Sequence, residues 1–83
     1  MGVMAMRGSK DLEFVFWSKS GKTCIYNVVS KTKGSILGEI KWFGRWRQYS
    51  FYPSPNCVFN YGCLQDIQDF IVELMEERMK VKR

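Results

Sequence analysis

The sequence predicts an α+β domain: a four-stranded antiparallel sheet of two hairpins, with one C-terminal helix packed across one face. Three observations carry that expectation. Four short runs rich in Val, Ile, Tyr, Phe and Trp are separated by glycine-bearing turns, the pattern of strands joined in hairpins. Pro53 and Pro55 close the last run, because proline cannot donate to a ladder. Beyond them, apolar residues recur at three- and four-residue steps, which is the period of an amphipathic helix.

Residues 1–10 carry no pattern and read as a flexible lead-in to a single domain over 11–83. Leu12 to Trp17 is the first strand candidate, Lys19-Ser20-Gly21-Lys22 a turn, and Thr23 to Val29 the second strand. Ser30 to Ser35 is a polar loop. Ile36 to Phe43 is the third strand and Trp46 to Tyr52 the fourth. Gly44-Arg45 between them suits a two-residue type II′ turn, with glycine at the first central position.

That turn predicts a register with Phe43 opposite Trp46, Trp42 opposite Arg47 and Ile40 opposite Tyr49. Alternation then gathers Gly38, Ile40, Trp42, Arg47, Tyr49 and Phe51 on the face that meets the helix. Arg47 is expected to lie against the Trp42 indole. In the first hairpin the same logic sends Leu12, Phe14, Phe16, Ile25 and Val29 inward. It leaves Val15, Trp17, Cys24, Tyr26 and Val28 on the outer face.

Asn60 is an N-cap residue, since its side chain can accept a bond from a free first-turn amide. Cys63, Leu64, Ile67, Phe70, Ile71, Leu74 and Met75 form the apolar stripe. Asp66, Asp69, Glu73, Glu76 and Glu77 occupy the opposite side. Arg78, Lys80, Lys82 and Arg83 follow at the C-terminal end, where cations suit the helix dipole.

Eighty-three residues make one domain with a thin core. No window approaches the apolar length of a membrane span, and the N-terminus lacks the build of a signal peptide, so the expected location is the cytoplasm. With no His, the chain lacks the commonest acid/base residue and metal ligand. Cys24, Cys57 and Cys63 form no C-x-x-C pair and read as reduced, packed thiols. No cofactor, no metal and no catalysis are expected.

Ser18-Lys19-Ser20-Gly21-Lys22-Thr23 imitates the end of a phosphate-binding loop. The full motif needs glycine at position 16, where this chain has Phe16, and a helix immediately after. Cys24 to Val29 reads as strand instead, so the stretch is a basic hairpin turn.

Residues 1–60 hold nine Lys/Arg and three Asp/Glu, whereas residues 61–83 hold four and five. The sheet is therefore basic. On the predicted outer face and hairpin tip, Trp17, Tyr26, Phe43 and Trp46 stand beside Lys41 and Arg45. A contiguous aromatic patch points to a partner, to a terminus folded over it, or to a homodimer.

Leu37-Gly38-Glu39-Ile40-Lys41-Trp42, Trp46-Arg47-Gln48-Tyr49-Ser50-Phe51-Tyr52-Pro53, Val58-Phe59-Asn60, Cys63-Leu64-Gln65-Asp66-Ile67 and Asp69-Phe70-Ile71 stand at fixed spacing. Together they resemble a family of small uncharacterised proteins carried by bacteriophages, prophages and other mobile elements. The likeness covers about residues 36–74. It implies an origin rather than an activity.

The leading expectation is a non-enzymatic binding module of phage or mobile-element origin. It would act in the host cytoplasm by occupying a host protein, such as an immune effector, through Lys41, Phe43, Arg45, Trp46, Trp17 and Tyr26. The alternative is that the basic aromatic face binds nucleic acid or sequesters a signalling nucleotide.

Overall fold

The computed structural model describes residues 7–8 and 11–81. An antiparallel sheet in the order β1-β2-β3-β4-β5 is packed against one helix. Its four main strands are β2 (Leu12–Ser20), β3 (Thr23–Ser30), β4 (Ile36–Phe43) and β5 (Gln48–Pro53). The helix, α1, spans Tyr61–Val81. The predicted α+β architecture of two hairpins and a C-terminal helix is what forms. One short strand was not foreseen: β1 (Arg7–Gly8) pairs with Phe14 and Glu13. The rest of the expected lead-in lies outside the described residues.

The β2–β3 turn is the tight one. Ser20 pairs with Thr23, and Gly21 at φ 63° takes the left-handed position that glycine adopts without a Cβ penalty. Thr23 Oγ1 donates to the Ser20 carbonyl at 3.1 Å. The stretch resembling a phosphate-binding loop is therefore a two-residue hairpin turn leading into a strand.

The β4–β5 turn differs from expectation. Gly44 to Arg47 form a four-residue loop, closed by Trp46 N–H to the Phe43 carbonyl and Arg47 N–H to the Gly44 carbonyl. Arg47 completes it at φ 55°. Phe43 consequently pairs with Gln48, Trp42 with Tyr49 and Ile40 with Phe51, two residues away from the predicted register. A slip of two preserves side-chain parity. Ile40, Trp42, Tyr49 and Phe51 therefore still face the helix, while Trp46 and Arg47 leave the strand for the loop.

The first hairpin corrects the predicted faces of β3. Phe14 pairs with Val28 and Phe16 with Tyr26, so Val28 and Tyr26 point inward. Val28 is completely buried, and Tyr26 meets the Phe70 ring edge-on at 5.0 Å. Ile25 and Val29 take the outer face in their place. Starting the alternation one residue out inverted every β3 side chain. A bulge between Phe16 and Ser18 removes Trp17 from the pairing altogether.

The core lies between the inner face and α1: Leu12, Phe14, Val28, Ile40 and Tyr49 against Ile67, Phe70 and Leu74. Phe14 stacks on Phe70 with centroids 4.4 Å apart. Asn60 caps α1 as expected, its Oδ1 accepting from Cys63 N–H at 2.8 Å. Leu64 departs from the predicted stripe, with 48% of its surface exposed.

Candidate functional site

Chain direction brings the chemistry to one end of the molecule. In an antiparallel sheet the β2–β3 and β4–β5 turns fall at the same end. β5 runs away from it, and α1 returns, so the C-terminal turns of the helix arrive beside both hairpin tips. Lys19 and Lys22 come from one tip, Arg45 and Arg47 from the other, and Arg78 from the helix. Among the described residues, no carboxylate forms an ion pair with any of these five.

Arg78 organises this end. Its guanidinium carbon lies 4.2 Å from the Trp42 ring centroid, occupying the place predicted for Arg47. Trp42 in turn meets Tyr49 edge-on at 5.5 Å. On one side of Arg78 is a cleft of about 590 Å³, bounded by Lys19, Lys22 and Cys24, by Tyr26 and Tyr49, and by Leu74 and Glu77. On the other is a cleft of about 480 Å³ reaching Trp42, Arg47 and Met75.

The larger cleft exists because β3 and β4 part company. Their pairing reaches only Tyr26 with Ile40, leaving the Cys24 N–H without a β4 carbonyl. Tyr49 reaches across from β5, and its hydroxyl accepts that N–H at 3.1 Å. A second bond, Tyr49 N–H to Met75 Sδ at 3.4 Å, ties the same strand to α1.

The predicted binding residues fall into three groups. Arg45 and Trp46 stand on the β4–β5 loop, and Trp46 is 64% exposed. Phe43 braces that loop: it meets Trp46 at 4.8 Å and Tyr52 at 6.4 Å. Lys41 is held on the outer face, its ammonium 4.6 Å from the Tyr52 centroid and 3.5 Å from Glu39. Trp17, on the bulge, is also 64% exposed. Tyr26 does not join them. It belongs to the helix-covered face and lines the larger cleft from within.

The outer face carries Val15, Ile25 and Val29 beside the Glu39–Lys41 pair. Asn27, between Val15 and Glu39 on this face, is buried. Among the described residues no cluster of three Cys, Asp or Glu side chains could hold a metal ion, and no helix is long and apolar enough to cross a membrane. Cys24, Cys57 and Cys63 are free.

Set beside known proteins, the chain is 38% identical over 76 residues to an uncharacterised 9.3 kDa protein of Acholeplasma phage L2. The match takes in 90% of this chain and 97% of that protein. The chain belongs to a family of small bacteriophage proteins. Membership extends beyond the resemblance over residues 36–74, since a match of that length must reach well into the first hairpin. No protein-family model matches the chain, and no solved structure does.

The reading from residues alone missed the cleft residues Lys19, Lys22, Tyr49 and Arg78 as a group. A usable signal was present. Two hairpin turns and the end of a returning helix must converge, and each carries Lys or Arg.

Proposed function

We propose that this phage protein is a non-enzymatic binding module that occupies a host protein in the host cytoplasm, a component of host defence being the target class. The observation that carries the reading is Trp46: a large aromatic, 64% exposed on a braced loop, flanked by Arg45 and Arg47. Aromatic and Arg side chains dominate the binding energy of protein interfaces, and pre-organisation lowers the ordering cost of using them. Phe43 supplies that pre-organisation by holding Trp46 edge-on. Phage origin supports the choice of a host target. Among the described residues, Lys19, Lys22, Arg45, Arg47 and Arg78 at this end favour an acidic surface on the partner.

Plating tests the proposal. A bacterial host that restricts an indicator phage should plate it more efficiently when it expresses the wild-type protein, and not when it expresses Trp46→Ala at equal abundance. Equal plating with the variant and the wild type would remove the tip from the account.

A further inference from the structure

We infer that the cleft between the β2–β3 turn and the C-terminal turns of α1 binds a small phosphate-bearing ligand with a flat ring, of mononucleotide size. The site lies on the helix side of the molecule, apart from Trp46, so it neither requires nor excludes the docking role of the tip.

Charge sets the ligand's sign. Lys19, Lys22 and Arg78 line the cleft against the single carboxylate of Glu77. None of the three cations is ion-paired among the described residues. Arg78 is also fixed in place by the Trp42 ring beneath its guanidinium, which leaves its N–H edges to meet phosphate oxygens without first being ordered.

The floor adds a neutral donor. The Tyr49 hydroxyl accepts the Cys24 N–H, and its own proton has no acceptor among the described residues. A phenol whose oxygen already accepts is well disposed to donate onward to an anionic oxygen. Tyr26 and Leu74 supply apolar wall. A cleft of about 590 Å³ falls within the range of small-molecule sites, most of which combine an apolar lining with a few convergent polar groups. Bare phosphate would leave the apolar wall unused, so a phosphate carried on a ring is the better chemical match.

Calorimetric titration with the four common nucleoside 5′-monophosphates, their nucleosides and inorganic pyrophosphate tests this. At least one monophosphate should bind, with its nucleoside and pyrophosphate each about tenfold weaker or worse. Raising salt should weaken binding, as expected when phosphate is held by Lys and Arg. Lys19→Ala/Lys22→Ala should lose about tenfold in affinity while melting with the wild type, because both side chains are exposed. Tyr49→Phe should also weaken binding, and Trp46→Ala should leave it unchanged. No heat with any monophosphate, equal binding of pyrophosphate, or undiminished affinity in the double lysine variant would each overturn the inference.

Discussion

The guanidinium of Arg78 lies 4.2 Å from the centroid of the Trp42 ring, joining the last turns of α1 to β4 at the hairpin-tip end of the sheet. No other described cation–ring contact ties the helix to the sheet. The contact closes one wall of each cleft, and it places a fixed positive charge between them.

Arg78→Ala should therefore destabilise the domain by about 1 kcal/mol, within the range for a partly shielded cation–π contact. In a domain of this size that lowers the melting temperature by about 4–8 °C. Arg47→Gly should cost nothing, because Arg47 sits exposed at φ 55°, a backbone conformation that glycine tolerates better. Thermal melts of the two variants read the contrast; equal losses would assign the indole contact to the wrong arginine.

Gly38 has a steric duty. A Cβ built there would come within 2.7 Å of both Phe51 Cε1 and the Tyr52 carbonyl oxygen. The ring can shift, but the backbone oxygen cannot do so cheaply. Gly38→Ala should cost about 1–3 kcal/mol, the usual range for overpacking. A denaturant midpoint equal to that of the wild type would show that β4 and β5 are not paired in this register.

Helix burial makes a sharper test than the apolar stripe alone. Ile67 is buried against the sheet, so Ile67→Asp should unfold the domain by placing an unpaired charge in the core. Leu64→Asp should leave it folded, since Leu64 is half exposed. Circular dichroism of both variants decides this. Asn60→Ala should lose about 1 kcal/mol through the missing cap on Cys63 N–H.

Most of the architecture was legible from local rules. The period of α1, the Asn60 cap and the stop at Pro53 depend on neighbours in sequence, and all three stand where those rules place them. Register was harder. Glycine at position 44 suits a two-residue turn, yet the chain forms a four-residue loop because Arg47 accepts a left-handed backbone. Sequence pattern gave no warning of that. Parity rescued the faces of β4 and β5 from the error, whereas β3 had no such protection. There Ile25 and Val29 are as apolar as Tyr26 and Val28, so alternation alone could not choose the inner set. The same inversion moved Tyr26 from the expected binding surface to the wall of the cleft.

The most direct test of the docking account is a quantitative capture experiment on a bacterial host lysate. Wild-type protein, Trp46→Ala and Arg45→Ala serve as baits, each first shown to melt with the wild type. A truncation at an interface hot spot costs about 2 kcal/mol or more, enough to strip a bound protein from the bait. The account predicts a host protein retained by wild type, resistant to nuclease treatment, and lost from both variants. A host protein retained equally by all three baits would contradict it.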